Sequence, residues 1–231
     1  MQLLNLRNSF LTFTLVAIAS LSSGMLTACS TASQNETQAQ NTTAVNTSDN
    51  KQMNHESGMN HSMAMDLGPA DANYDLRFID AMTPHHQGAV DMAKVALQKS
   101  QHPQIKKLAN DIIKEQNKEI AQLKQWRQAW YPKAGDKPMA YDAQMGHMME
   151  MSSDQKKGMM MSMDLGAADT DFDLRFINAM MPHHEGAVTM AQDASSKSNR
   201  SDIKKLAQSI ITSQQAEIQQ MKQWRQEWYK K

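Results

Sequence analysis

Two pairs of adjacent histidines recur 98 residues apart in nearly the same surroundings. The first is Met82-Thr-Pro-His85-His86-Gln-Gly-Ala-Val-Asp-Met92-Ala, the second Met180-Met181-Pro-His183-His184-Glu-Gly-Ala-Val-Thr-Met190-Ala. Imidazole nitrogen beside thioether sulfur is a donor set for soft metal ions, Cu(I) above all. On a helix, Met82 and His86 share one face, with His85 and Met92 along its flank.

The composition points the same way. The chain holds 21 methionines against five phenylalanines. Methionine fills core gaps, but it also binds metal through sulfur. Lys and Arg (24) balance Asp and Glu (24), so nothing suggests a nucleic-acid partner or an acidic membrane surface. The single cysteine excludes an intrachain disulfide and a CxxC metal site.

The elements that must position these donors are themselves repeated. Residues 66–131 align with 164–229 without a gap, and 41 of the 66 positions are identical. Each copy reads as two helices. The first runs from about Asp71, a plausible N-cap, to Lys99. It turns His86 toward the core and His85 toward the edge, and Pro84 and Pro182 predict a kink. The second runs from about Pro103 to Trp130, an apolar stripe interrupted by Gln116 and Glu119, or by Gln214 and Glu217 in the later copy. A buried carboxylate is unfavourable unless paired or bound to metal.

If each copy folds back near residues 101 and 199, His86 and Gln116 lie at equal heights, with Glu119 one turn on, at about 1.5 Å per residue. One hairpin leaves its inner face wet, whereas two close it. The predicted architecture is all-α: a four-helix bundle with His86, His184, Glu119 and Glu217 in one interior layer. Glu119 and Glu217 read equally as ligands or as members of a hydrogen-bonded network. Trp126, Trp130, Trp224 and Trp228 read as packing at the bundle ends.

Outside the repeats, residues 1–28 read as a signal peptide, with Arg7 ahead of an apolar stretch too short for a comfortable span. Leu26-Thr-Ala-Cys29 resembles the lipobox of bacterial lipoproteins, which implies lipidation of Cys29 and a membrane-anchored protein of the periplasm or cell envelope. Residues 29–65 read as a disordered tether ending in Met53, His55, Met59, His61, Met63 and Met65, a segment suited to metal capture. Residues 132–163 read as a Met-rich linker. It carries Met139, Met145, His147, Met148, Met149, Met151, Met159, Met160, Met161 and Met163, without a helical or strand period. It is expected to act as a thioether reservoir that adds little to the core, and its length permits homodimers by hairpin swapping.

The pattern Phe-Ile-x-Ala-Met-x-Pro-His-His-x-Gly-Ala-Val-x-Met-Ala, followed by Gln-x-x-Glu-Ile and a Trp, resembles the bacterial domain-of-unknown-function family 305 over 66–131 and 164–229. The resemblance implies a ferritin-like helical bundle. The Met-rich, exported context is similar to the family's periplasmic copper-binding members of the CopM type. That implies Cu(I) and Ag(I) binding by Met82, His85, His86, Met92, Met180, His183, His184 and Met190, in the service of copper tolerance. The reading is a non-enzymatic protein that sequesters or buffers copper and exchanges it with a copper-transfer partner. The alternative is a ferritin-like His/carboxylate oxidase binding iron or manganese. Its usual Glu-x-x-His is missing, since Thr83 and Met181 stand three residues before His86 and His184.

Overall fold

The computed structural model describes residues 64–230. Helix α1 spans Tyr74–Lys99 and α2 Pro103–Trp130; then come strands β1, Met139–Asp142, and β2, His147–Glu150. Helix α3, Ser153–Met160, precedes α4, Phe172–Lys197, and α5, Ser201–Tyr229. Among the described residues, no helix is long and apolar enough to cross a membrane.

The hairpins α1–α2 and α4–α5 turn where the repeat predicts. Ser100 and Ser198 leave helical geometry, and their hydroxyls accept from the backbone N–H of His102 and Arg200 at 3.1 and 3.0 Å. Pro103 opens α2 at a position where its missing N–H is harmless. The anticipated cap is corrected: Asn73 and Asp171 hold the N-cap positions of α1 and α4, without side-chain caps. Asp71 instead bridges to Arg77 at 3.0 Å.

Neither hairpin owns a core. One apolar cluster joins Phe78, Ile79 and Met82 of α1 to Ala187, Met190 and Ala191 of α4, with Ile203 and Ile210 of α5. A second joins Met92 and Ala93 of α1 to Phe176, Ile177 and Met180 of α4, with Ile105 and Ile112 of α2. Thus α1 and α4 cross in opposite senses, each giving its first half to one cluster and its second half to the other. An isolated hairpin would expose half of both clusters, so burial of apolar surface drives the two repeats together.

The segment expected to be a core-free linker is folded. β1 and β2 pair antiparallel, Ala140 opposite Met149 and Tyr141 opposite Met148. Asp142 Oδ1 accepts from the N–H groups of Gln144 and Met145 in the turn. A capping box of Ser152 and Gln155 starts α3. Ala140, Met151 and Met159 join the first apolar cluster. Periodicity could not show this, because four-residue strands and an eight-residue helix are too short to carry one.

Arg127 anchors this insert. It bonds Asp80 through Nε at 2.5 Å and the carbonyls of Gly135 and Lys137 at 2.6 and 2.8 Å. Asp80 also accepts from the N–H of Met139 at 2.8 Å. Burial raises the Asp80 carboxyl above the ordinary range, while Arg127 and the Met139 N–H oppose that shift. Gly68, at φ 76°, lies under the Tyr141 ring, where a Cβ would come within 2.4 Å of the ring.

A candidate metal centre of four histidines

Between the two apolar clusters lies a polar layer. His85, His86 and His184 are fully buried and His183 nearly so. The expectation that His85 sits at an edge is corrected: its ring faces that of His183 across the α1–α4 crossing, with centroids 3.9 Å apart and planes tilted 49°. Each lies edge-on to its chain neighbour, His86 at 6.4 Å and His184 at 6.3 Å. The reason is the antiparallel crossing, which turns the flank of each helix toward the other.

His86 and His184 meet the carboxylates that the hairpin register placed beside them. His86 Nε2 stands 2.8 Å from Glu119 Oε2, and His184 Nε2 donates to Glu217 Oε2 at 2.6 Å. That bond puts the proton of His184 on Nε2 and leaves Nδ1 with its lone pair. Nδ1 of His86 and of His184 has no hydrogen-bond partner among the described residues, nor does Oε1 of Gln116 or Gln214 in the same layer. Among the described residues, neither ring of the central pair makes a hydrogen bond of good geometry.

Burial drives the central imidazoles toward neutrality. His183 is pushed down to about 3, first by desolvation and then by His184 and His86; the carbonyls of Met160 and His85 oppose this weakly. His85 lies well below the ordinary range, again through desolvation first and then the neighbouring histidines. Buried neutral imidazoles need not release a proton before binding metal.

The thioethers flank the layer. Met82 and Met190 belong to one apolar cluster, Met92 and Met180 to the other, all buried. Met181 is also buried in the second cluster, while its mate Thr83 bonds back to the carbonyl of Ile79 at 2.7 Å. Among the described residues, no three His, Cys, Asp or Glu side chains stand together in the geometry of a metal site.

The remaining candidates are scattered. Met151 and Met159 are buried core residues, which corrects their place in a free thioether reservoir. Met65 and Met149 pack on the first cluster. Met145 and Met163 are exposed, as is His147, whereas Met148, Met160 and Met161 are half-buried. Cys29, Met53, His55, Met59, His61 and Met63 lie outside the described residues.

One contact at the layer escaped the sequence reading. The carbonyl of Met160, at the end of α3, lies against Gly88, where a Cβ would come within 1.5 Å of the oxygen. Glycine in mid-helix was the available signal, since it often marks a close backbone approach. His102, unmatched in the second repeat, has a packing role: it stacks on Trp228 at 4.0 Å, as Arg200 lies over Trp130 at 4.1 Å.

The profile of the family described as "Domain of unknown function (DUF305)" matches residues 75–225, which takes in α2, α3 and α4, nearly all of α1 and α5, and the whole histidine layer. The chain belongs to the DUF305 family. Among solved structures it is similar to CopM in the Cu(I)-bound form, at 42% identity and TM-score 0.51, over 67% of this chain and 97% of that one. The Cu(II)-bound form of CopM gives 46% and 0.54 over the same shares. An Ag-bound form obtained by soaking gives 41% and 0.53, again over 67% and 97%. An uncharacterized protein, L153 of Acanthamoeba polyphaga mimivirus, is 43% identical over 49 residues, 21% of this chain and 32% of that protein. The chain thus matches about a third of the length of this relative.

Proposed function

We propose that this DUF305 protein binds copper, chiefly as Cu(I), at the histidine layer, and sequesters or buffers it outside the cytoplasm without catalysing a reaction. The carrying observation is the set of buried ring nitrogens without hydrogen-bond partners among the described residues: both nitrogens of His85 and His183, and Nδ1 of His86 and His184. Burying polar atoms unpaired costs free energy, and a soft cation supplies the missing partner. Imidazole and thioether suit Cu(I) and Ag(I), and the clusters bearing Met82, Met190, Met92 and Met180 abut the layer. CopM, solved in Cu(I)-, Cu(II)- and Ag-bound forms, supports the same reading.

Glu119 and Glu217 then act through the histidines. Glu217 holds the His184 imidazole by Nε2, and Glu119 stands against Nε2 of His86; each carboxylate also offsets the charge of a buried cation. The lipobox-like Cys29 supports export and anchoring in the cell envelope, and the exposed Met145 and Met163 are suited to passing metal to a partner.

Anaerobic competition with a Cu(I) chelator tests this. Changing His86 and His184 together to Ala should abolish the tight site. Glu119→Gln with Glu217→Gln should weaken it by about 10–100-fold, the usual effect of removing a partner that orients a ligand. Full Cu(I) affinity in the double His variant would refute the proposal. Fe(II)-dependent oxygen uptake that vanishes with Glu119→Gln would establish the carboxylate oxidase instead.

A further inference from the structure

Two buried side chains of the histidine layer have no part in the function proposed above. Gln116 and Gln214 are mates in the two repeats, each only 3% exposed. Gln116 stands on α2 between Ile112 of the second apolar cluster and Leu123 of the first. His86 holds the same interval on α1, between Met82 of the first cluster and Met92 of the second. In the other repeat Gln214 lies between Ile210 and Met221, and His184 between Met180 and Met190, again with one residue from each cluster. Gln116 is also three residues from Glu119, and so its neighbour on one helix face. Glu119 Oε2 in turn stands 2.8 Å from Nε2 of His86. Gln214 has the same relation to Glu217, which accepts from His184 at 2.6 Å. The amides thus enter the layer from α2 and α5, as the imidazoles do from α1 and α4.

Oε1 of each amide is buried without a hydrogen-bond partner among the described residues. An amide oxygen can only accept, and a neutral imidazole offers one lone pair for each N–H. Nδ1 of His86 and of His184 is unpartnered as well, so the layer holds more acceptors than donors. A cation corrects that imbalance, which apolar packing leaves uncompensated. Among the described residues no three His, Cys, Asp or Glu side chains form a metal site together. A tight site therefore takes in donors of another type. Two kinds are at hand: the buried thioethers of the flanking clusters and these two amide oxygens.

We infer that Gln116 and Gln214 are the oxygen donors of this centre and set its preference between the two oxidation states of copper. The inference rests on the copper function proposed above. Imidazole with thioether suits Cu(I), whereas imidazole with oxygen suits the tetragonal preference of Cu(II). The layer offers both donor sets around the same four histidines, so it accommodates either ion. The amides favour Cu(II) and thereby lower the reduction potential of the bound couple.

The test compares the full chain with its Gln116→Met/Gln214→Met variant, which keeps unbranched, helix-compatible side chains but replaces amide oxygen with sulfur. Competition with a Cu(II) chelator, and anaerobically with a Cu(I) chelator, is read at the site that His86→Ala/His184→Ala removes. Cu(II) should bind at least about tenfold more weakly to the Met variant, with Cu(I) as tight or tighter. The potential of the bound couple then rises by at least about 59 mV, the one-electron equivalent of tenfold. The Cu(II) paramagnetic resonance spectrum should change with it. Gln116→Glu/Gln214→Glu, which keeps an oxygen at both positions, should retain Cu(II); binding no better than in the Met variant overturns the inference. Equal losses for both ions, or none, overturn it too. So does a lower metal-free Tm in the Met variant, which would mean that the amides turn over, donate Nε2–H to imidazole lone pairs and serve the fold. Affinities for both ions left unmoved by His86→Ala/His184→Ala would sink the copper function itself, and this inference with it.

Discussion

His85 and His183, one from each repeat, face each other at the centre of the bundle with ring centroids 3.9 Å apart. Neither residue can reach this position unless both hairpins are docked. The pair therefore ties the state of the candidate metal centre to the integrity of the fold, and pH should act on both at once.

The metal-free protein should lose stability as pH falls below about 6.5, where histidines of the unfolded chain begin to bind protons. In the folded protein His183 is held down to about 3, and His85 well below the ordinary range. Between these limits the unfolded state binds more protons, so stability falls by about 1.4 kcal/mol per pH unit for each of the two. Urea unfolding of metal-free protein from about pH 4 to 7 would show this slope, and His183→Phe should remove roughly half of it. Stability that stays flat across the window would mean the rings are not held neutral.

Gly88→Ala should destabilise, against the usual effect of that change. In a helix interior, alanine ordinarily gains about 0.5–1 kcal/mol over glycine. Here the added Cβ would come within 1.5 Å of the Met160 carbonyl, so α3 must shift. Met159 would leave the first apolar cluster. A lower Tm together with faster proteolysis near 153–163 is expected; a raised Tm would show that α3 does not rest on α1.

Deleting 139–161 should damage the bundle as well as remove thioethers. Met151 and Met159 are buried with the core, and full burial of one such side chain is worth about 1.5–3 kcal/mol. The drop in Tm should be at least about 5 °C for a domain of this size, measured by circular dichroism. An unchanged Tm would restore the expectation that this segment adds little to the core.

Cys29→Ala should leave the protein uncleaved, or soluble in the envelope, and no longer firmly membrane-attached. Several acyl chains anchor stably where one does not. Fractionation with quantitative immunoblotting decides the matter: a processed variant still fixed in the membrane would exclude lipidation as the anchor.

The sequence alone determined what is periodic or duplicated. Four long helices, their turns at Ser100 and Ser198, and the pairing of His86 with Glu119 and of His184 with Glu217 all follow from helical spacing and hairpin register. Those are local quantities, settled by rise per residue and by which face must be dry. Tertiary structure decided what depends on how one repeat meets the other. The antiparallel crossing of α1 and α4 brought His85 from an expected edge to the centre, and it split each repeat's apolar stripe between two clusters. It also decided the fate of residues 139–160, whose elements are too short to show a period. Their order comes from distant partners: Asp80 and Arg127 for the strands, Gly88 for α3. Contacts across that separation in sequence leave no local pattern to read, because the residues that make them are chosen to fit each other and not their neighbours in the chain.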